Sequence, residues 1–232
     1  MKTLLITGAN RGIGLEFCKQ YAADGWRVLA CCRDPGKADA LNKLAARYPD
    51  LIKLHALDVT NHAQIEQLAQ TLSEETIDLL INDAGVYPDA GSGGFGHTDY
   101  EKWMAAFNIN TMAPLKMVES FVKQIARSQL KLIVTITSQM GSMADNSSGG
   151  SYLYRSSKAA ANMVVKSLAV DLKEKGITSV AFNPGWVKTD MGGPNAMIAV
   201  EQSVADMRKV IAGLTLADTG KFIGNDGLVI PW

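Results

Sequence analysis

Short apolar runs of strand length alternate with segments of helical periodicity from the first residues of the chain onward. The runs are apolar throughout, without the two-residue alternation of a strand that has one face in water, which is typical of strands buried on both faces. Strands that alternate with helices in this way form a parallel sheet covered by helices on both sides. The sequence therefore predicts an α/β fold. The predicted strands are Thr3–Thr7, Trp26–Cys32, Ile52–Leu57, Ile77–Asn82, Lys131–Thr137 and Ser179–Asn183.

The length, the apolar content and the charge of the chain limit the number of domains and the kinds of partner. A chain of 232 residues with 47% apolar residues can bury one core and is too short for two ordinary domains, so we predict a single domain over residues 1–232. Lysine plus arginine equal aspartate plus glutamate, 23 against 23, which argues against nucleic acid or an acidic membrane as partner. No apolar run approaches the ~20 residues of a spanning helix, and the first strand leaves no room for a cleaved signal. We expect a cytoplasmic protein.

The cysteines and histidines show no ligand pattern. Three cysteines, two of them adjacent in an apolar run, favour a reducing compartment and buried thiols. His55, His62 and His97 are scattered, so no metal site is predicted.

The first predicted strand ends in a glycine-rich turn, and a helical pattern follows from Leu15. The turn reads Thr7-Gly8-Ala9-Asn10-Arg11-Gly12-Ile13-Gly14. Glycines allow a tight turn and let a pyrophosphate approach the backbone N–H groups at the start of a helix, where the helix dipole favours an anion. Because the first two glycines depart from the G-x-G-x-x-G spacing, a tight connection without a ligand is the alternative.

The end of the second predicted strand bears on the choice between NAD and NADP. An NAD-binding domain would carry an acidic residue there for the ribose 2′-hydroxyl, and Cys32 takes that place. Arg33, together with Arg11 of the glycine turn, can instead bind a 2′-phosphate through charge-assisted hydrogen bonds. Asp34 is the competing ribose ligand, but Pro35 after it predicts that Asp34 caps a helical turn. NADP is therefore favoured.

Polar residues follow the third and fourth predicted strands. Asp58, next to Val59, can accept a hydrogen bond from an adenine amino group or can cap the helix at Asn61. Four residues after the fourth strand reach the carboxyl edge of the sheet, where ligands bind in open α/β folds. They are Asn82, Asp83, Ala84 and Gly85. Pinning of neighbouring strands explains Asn82 equally well.

Tyr154 and Lys158 are four residues apart in a helix predicted from Tyr152 to about Lys173, which puts both side chains on one face. A free tyrosine has a pKa of ~10, and an acid that works near neutrality needs a value about 2–3 units lower. A positive charge at about 4–5 Å can supply that shift. We therefore expect Lys158 to lower the pKa of Tyr154, although such pairs also occur on solvated helix faces.

Two more residues fall near the same sheet edge. Asn110 lies in a helix predicted over Tyr100–Arg127, and Pro114 cannot donate to its carbonyl. The carbonyl can then bind a proton-relaying water, or the helix is merely kinked. Ser138 ends the fifth strand and can bind a substrate oxygen. No glycine-flanked nucleophile elbow surrounds it, which argues against a hydrolase.

The sixth strand leads into a sharp turn at Pro184-Gly185. Beyond it, the Val187 backbone and the Thr189 hydroxyl can grip a carboxamide. Glycine-rich stretches at Gly91–Gly96 and Ser147–Gly150 are expected to be loops at the rim of the site.

In order and spacing these motifs resemble the short-chain dehydrogenase/reductase family over nearly the whole chain. The matching motifs are Thr7-Gly8-x-x-x-Gly12-x-Gly14, Asn82-x-Ala84-Gly85, Asn110, Ser138, Tyr154-x-x-x-Lys158 and Pro184-Gly185. Asp83 stands where the family has a second asparagine. The loop before Tyr154, the run from Pro184 and the C-terminal ending are similar to the C-factor and sniffer-type carbonyl reductases within that family.

The resemblance implies a Rossmann-type doubly wound parallel sheet of about seven strands, NADP(H) as cofactor, and a homodimer or homotetramer formed through the long helices. It implies that Tyr154 protonates a carbonyl as NADPH delivers hydride and that Lys158 acidifies Tyr154 and binds the nicotinamide ribose. Ser138 would orient the carbonyl, and Asn110 would position a relay water. The expected cofactor-binding residues are Gly8, Asn10, Arg11, Gly12, Ile13, Gly14, Arg33, Asp58, Val59, Asn82, Ala84, Gly85, Tyr154, Lys158, Pro184, Gly185, Val187 and Thr189.

The resemblance also implies that a segment near 190–213 shapes the substrate pocket. Met140, Trp186 and Met191 suggest an adaptable apolar lining, although such residues are more often ordinary core. We expect a small carbonyl substrate: a ketone, an aldehyde or a quinone. The alternative is a C-factor-like signalling protein that binds the cofactor and for which turnover is incidental.

Overall fold

A computed structural model of the chain describes residues 1–89 and 94–232. The described residues contain a seven-stranded parallel sheet. Its strands are β1 (Thr3–Thr7), β2 (Arg27–Cys32), β3 (Ile52–Ala56), β4 (Leu79–Asn82), β5 (Leu132–Ile136), β6 (Thr178–Asn183) and β7 (Phe222–Gly224). Their spatial order is β3-β2-β1-β4-β5-β6-β7. The order reverses between β1 and β4, and open α/β sheets bind ligands at the carboxyl ends of the strands at such a point.

Helices cover both faces of this sheet. They are α1 (Gly12–Ala23), α2 (Asp39–Arg47), α3 (His62–Thr71), α4 (Tyr100–Phe107), α5 (Ala113–Ala126), α6 (Tyr152–Asp171) and α7 (Val200–Ala212). Leu4 and Ile6 of β1 point into a core cluster with residues of α1, α2 and α7. Leu5 points the other way, into a cluster with α3, α5 and α6. The predicted α/β fold class is confirmed. The uninterrupted apolar runs of the sequence correspond to strands that bury side chains on both faces of the sheet.

The six predicted strands are present, with ends displaced by at most two residues. The seventh strand, β7, had no predicted position. It is only three residues long and pairs with the last three residues of β6, so the sequence offers no run of strand length there.

The long helix predicted over Tyr100–Arg127 is wrong as a continuous element. A π-helical turn, Asn108–Met112, separates α4 from α5, and the N–H of Ala113 donates to the carbonyl of Asn108. Pro114 lies in the first turn of α5, where its missing N–H is tolerated. The helix is interrupted near Pro114, where the sequence predicted a distortion. The distortion is one wider, π-helical turn and not a kink.

The loops expected at the rim are only partly described. Gly91 to Gly93 of the predicted Gly91–Gly96 loop lie outside the described residues. The Ser147–Gly150 stretch is irregular, with Gly149 and Gly150 at φ +64° and +63°, and leads into Ser151 at φ +44°.

The cysteines, the possible metal ligands and the apolar content of the helices bear on the kind of site and location the chain can have. The three cysteines are buried free thiols. Within residues 1–89 and 94–232, no three histidine, cysteine, aspartate or glutamate side chains converge as metal ligands would. In the same part of the chain, every helix is too short or too polar to cross a lipid bilayer.

Candidate active site

A cavity of about 940 Å³ lies beside the point where the strand order reverses. Its wall is formed by the glycine turn, by residues that follow several strands, by the start of α6 and by the segment after β6. The predicted site residues on this wall are Gly8, Asn10, Arg11, Gly12, Ile13, Arg33, Asp58, Val59, Ala84, Gly85, Tyr154, Lys158, Pro184, Thr189 and Met191.

Other predicted residues are not part of the described wall. They are Gly14, Asn82, Asn110, Ser138, Met140, Gly185, Trp186 and Val187. Asn82 is buried, and its Nδ2 donates to the carbonyl of Pro114 at 3.5 Å, so it ties β4 to α5. The structure therefore supports the alternative role of Asn82, in which its side chain holds neighbouring elements together. Its partner is the helix α5 and not a neighbouring strand.

The turn after β6 is closed by bonds within itself. The Thr189 hydroxyl donates to the carbonyl of Val187 at 3.4 Å and accepts from the N–H of Gly192 at 3.2 Å. Trp186, about half exposed, donates from Nε1 to the carbonyl of Gly192 at 2.8 Å. The Val187 and Thr189 groups expected to grip a carboxamide thus bind one another in this structure.

The glycine turn has the shape that a pyrophosphate requires. Gly8 and Gly12 have φ of +71° and +55°, which favour glycine. A methyl group on Gly14 would lie 2.4 Å from the carbonyl oxygen of Gly8, so only glycine fits there. Arg11 precedes α1 without a capping bond from its side chain to the described residues, and Gly12 and Ile13 line the cavity. The start of α1 therefore presents backbone N–H groups to an anion in the cavity.

The two arginines expected to bind a 2′-phosphate lie on the cavity wall with acidic neighbours. Arg11 forms an exposed ion pair with Asp190, 2.8 Å between Nη1 and Oδ2. Hydrogen bonds from Thr60 hold the pKa of the Asp58 carboxyl group below its usual range, and the charge of Arg33 nearby lowers it further. Asp34 precedes a short 3₁₀ turn, Pro35–Lys37, as predicted, but its carboxylate forms an ion pair with Lys37 at 3.1 Å and does not cap the turn.

The capping role considered for Asp58 is wrong. Asn61 caps α3, accepting from the N–H of Gln64 at 3.2 Å. The Asp58 Oδ1 instead accepts from both the N–H and the hydroxyl of Thr60, at 2.9 and 2.8 Å. Asp58 thereby faces the cavity, which leaves the adenine contact as its predicted role.

Tyr154 and Lys158 come together as their spacing predicts. The Lys158 Nζ lies 5.7 Å from the centroid of the Tyr154 ring and donates to the carbonyl of Ile136 at 2.9 Å. Both side chains are buried, with 7% and 5% of their surface exposed.

The predicted direction of the Tyr154 pKa is wrong for this structure. Burial raises the pKa of Tyr154 to about 12, a hydrogen bond from Ser138 lowers it in part, and the charges of Tyr87 and Asp83 raise it further. Burial also lowers the pKa of Lys158 to about 8, against the opposing effect of Asp83. The phenol is therefore protonated at neutral pH, because desolvation disfavours the charged phenolate.

Ser138 and Asn110 are placed next to this pair by hydrogen bonds. The Ser138 hydroxyl bonds to Tyr154 and also accepts from the N–H of Met140 at 3.1 Å. The Asn110 side chain accepts from the N–H of Val86 at 2.9 Å and donates to its carbonyl and to the Ser157 hydroxyl, both at 3.0 Å. Asn110 thus joins the π-helical turn to the residues after β4 and to α6.

A comparison with known protein families agrees with this arrangement of glycine turn, serine, tyrosine and lysine. A family model described as short chain dehydrogenase matches residues 2–197. The chain belongs to the short-chain dehydrogenase family. The resemblance to this family is confirmed. The structural neighbours include carbonyl reductases, the subgroup that the sequence resembles.

Three relatives illustrate the range of similar dehydrogenase-family proteins. The C-signal protein of Myxococcus xanthus is 41% identical over 159 residues, which cover 67% of this chain and 93% of the C-signal sequence. An NADPH-bound carbonyl reductase from chicken fatty liver superimposes with a TM-score of 0.92 at 34% identity, over 100% of this chain and 99% of that one. The carbonyl reductase Sniffer of D. melanogaster gives 0.93 at 30% identity, over 100% of both chains.

Two residues of this dehydrogenase site were missed in the sequence. The Tyr87 ring packs edge-on against Tyr154, 4.8 Å between centroids, and its hydroxyl lies 3.0 Å from that of Ser151. The Asp89 carboxylate accepts the N–H groups of Leu153 and Tyr154 at 3.3 and 2.7 Å. Both follow β4 and fold back on α6, and neither lies in the motifs from which the family resemblance was drawn.

Asp83, noted only as a departure from the family asparagine, also belongs to the site. Its backbone N–H and that of Ala84 both donate to the Thr7 hydroxyl at 3.1 Å. Its carboxylate accepts the N–H of Gly14 and faces Lys158. Asp83 therefore connects the glycine turn with the active-site helix α6.

Proposed function

We propose that this chain is an NADPH-dependent carbonyl reductase. The observation that carries the proposal is the presence of the Tyr154 phenol, hydrogen-bonded to Ser138 and beside Lys158, on the wall of the cavity that also contains the glycine turn. A proton donor and a dinucleotide cradle in one cavity are the two requirements of carbonyl reduction.

The residues of the cavity fit NADP(H). The turn from Gly8 to Gly14 supports the pyrophosphate site, and Arg11 and Arg33 support a 2′-phosphate site. The chicken liver relative is described with NADPH bound. NADPH, when bound, supplies a hydride to the carbonyl carbon, so the protein must supply one proton to the carbonyl oxygen.

Tyr154 is the group that gives this proton. Its raised pKa keeps the phenol protonated in the resting site, and a developing alkoxide is basic enough to take the proton. The Ser138 hydroxyl bonds to the same phenol, which supports the proposal that it orients the carbonyl oxygen. Lys158 provides a positive charge beside the phenolate that forms, and Asn110 fixes the residues after β4 against α6.

The substrate proposal is a small ketone, aldehyde or quinone. Met191 lies on the cavity wall, whereas Met140 and Trp186 are outside the described wall. Of the pocket segment expected near 190–213, the structure puts Asp190, Met191, Val200 and Glu201 on the wall. An apolar thioether on the same cavity wall as the phenol suits an aromatic or aliphatic carbonyl compound.

Replacement of Tyr154 by phenylalanine tests the reductase. We expect Tyr154→Phe to lose activity by about 10²–10⁴-fold, measured as loss of NADPH absorbance with aromatic aldehydes and diketones, because the proton donor is removed. NADPH binding, measured by fluorescence, should persist. Tyr152→Phe is the matched control, since Tyr152 is exposed at the start of α6. Wild-type protein that binds NADPH and reduces nothing in the panel would contradict the proposal.

A second candidate is favoured by the 41% identity to C-signal. In that case the fold binds the cofactor as a signalling protein, and turnover is incidental. The same Tyr154→Phe variant separates the two, because a biological effect that survives it supports signalling, and an effect that disappears with turnover supports catalysis.

A homodimer or homotetramer is part of the proposal. Met104 of α4 and Met163 and Val170 of α6 have more than 60% of their surface exposed, which fits helices that pack against a second copy. The mass in solution measures this, and a monomer contradicts it. The single domain over residues 1–232 and the cytoplasmic location stay predictions.

A further inference from the structure

The Asp83 side chain is wedged against the glycine turn. A methyl group on Gly14 would lie 2.7 Å from its Oδ2, and one on Gly8 would lie 3.2 Å away. The carboxylate accepts the N–H of Gly14, and the Thr7 hydroxyl accepts the N–H of Asp83. The carboxylate therefore packs directly against the turn.

Three titratable groups face this carboxylate. Lys158 and Tyr154 belong to α6, and Cys18 belongs to α1. Lys158 is the cation of this set, and no ion pair within 4 Å joins it to Asp83 among the described residues. Burial raises the pKa of Asp83 to about 7, although Lys158 and the Gly14 N–H oppose the rise. The side chain thus changes charge near neutral pH.

An ionised Asp83 opposes the binding of phosphates at this turn. Like charges repel, and Asp83 lies on the wall of the same cavity that would hold the phosphates. The carboxylate also takes up one N–H of the turn. A protonated Asp83 has no charge and keeps an oxygen for the Gly14 N–H, as an asparagine side chain would at every pH.

We propose that Asp83 is a positioning residue of the glycine turn and takes up a proton from solvent when NADP(H) binds. The proposal rests on the cofactor proposed above. The affinity for NADPH then decreases as the pH rises through the neutral range, by about tenfold between about pH 6 and pH 9, since one unit of pKa shift corresponds to a tenfold change in affinity.

Calorimetric titration of the full chain with NADPH tests this inference. Binding is measured at about pH 8 in two buffers of different ionisation enthalpy, which gives the number of protons taken up. We expect the wild type to take up about 0.4 of a proton more than Asp83→Asn, which is what a one-unit rise of the Asp83 pKa from about 7 gives at pH 8, and we expect the affinity of Asp83→Asn to fall less than that of the wild type between about pH 6 and pH 9. The comparison cancels protons exchanged by the NADPH phosphate itself.

Asp34→Asn is the matched control, because Asp34 is exposed and Lys37 keeps the pKa of its carboxyl group below the usual range. This variant should take up as many protons as wild type. Equal proton counts in wild type and Asp83→Asn overturn the inference and leave the reductase proposal in place. Failure of the wild type to bind NADPH overturns both.

A spectroscopic measurement keeps the inference testable if Asp83→Asn does not fold, which circular dichroism would show. In the wild type, NADPH should increase the infrared C=O band of a protonated carboxylic acid at about pH 8. An unchanged band overturns the inference.

Discussion

Gly14 leaves no room for a side chain at the point where the turn meets Asp83. A methyl group there would lie 2.4 Å from the Gly8 carbonyl oxygen and 2.7 Å from the Asp83 carboxylate. The backbone must shift, so we expect Gly14→Ala to weaken NADPH binding by about tenfold or more and to cost about 1–3 kcal/mol of stability. Fluorescence titration and urea unfolding measure the two effects.

Gly213→Ala is the control for this substitution. Gly213 follows α7 with φ −98°, and a methyl group would meet the Val210 carbonyl oxygen at an ordinary 3.6 Å. This variant should bind NADPH like wild type. Unaltered binding by Gly14→Ala would show that the turn does not form the cofactor site.

Single residues show where sequence reasoning succeeds and where it stops. The four-residue spacing correctly predicted that Tyr154 and Lys158 share a helix face, because helical geometry is local. The direction of the Tyr154 pKa was predicted wrongly, because it depends on burial and on Tyr87 and Asp83, which the fold brings in from the residues after β4. Charge environments of this kind are set by the tertiary structure.

The start of α6 is capped from outside the helix. Ser151 precedes it with φ +44° and makes no capping bond with its side chain to the described residues, while the Asp89 carboxylate accepts the N–H groups of Leu153 and Tyr154. Asp89→Ala removes this cap. We expect a loss of about 1–2 kcal/mol in the free energy of unfolding and a fall in kcat with a smaller change in KM, because the helix turn that carries Tyr154 loosens.

A second helix of the chain provides the matched cap for comparison. Asp99 caps α4, accepting from the N–H of Lys102 at 3.0 Å. Asp99→Ala should cost similar stability and leave kcat near the wild-type value. Equal effects of the two variants on kcat would argue that Asp89 acts on stability alone.

Helices and strands were predicted accurately where a single local sequence signal marks their ends. The start of α6 and all of β1 fall at their predicted residues, because apolar runs and turn residues mark them. The break at Asn108–Met112 was placed by Pro114, but its π-helical form depends on packing: Asn110 binds Val86, and Thr111 donates to the Ser157 carbonyl at 2.8 Å.

The parallel sheet with helices on both faces was predicted from the alternation of strands and helices, since parallel strands need crossover connections. The stability of that molecule has a pH dependence that the sequence did not indicate. Lys158 is buried and faces the partly buried Asp83; desolvation raises the pKa of Asp83 to about 7 and lowers the pKa of Lys158 to about 8. Both ionised forms are disfavoured by desolvation, so the pair destabilises the fold most near neutrality.

The sign for each group follows from proton counts. Between about pH 4 and pH 7 the folded chain keeps a proton on Asp83 that the unfolded chain has lost, so this group makes stability fall as the pH rises. Between about pH 8 and pH 10 the unfolded chain keeps a proton on Lys158 that the folded chain has lost, so stability rises again. Carboxyl groups with lowered pKa, such as Asp58, act mainly below this range.

Asp83→Asn should therefore stabilise the chain more at about pH 8 than at about pH 5, by up to about 2–3 kcal/mol, because the folded wild type carries the buried charge only at the higher pH. Urea unfolding at both pH values measures the difference. Asp58→Asn is the control, as its carboxylate has a lowered pKa and bonds to Thr60. A stability gain for Asp83→Asn that is the same at both pH values would mean that Asp83 does not titrate in the folded chain within this range.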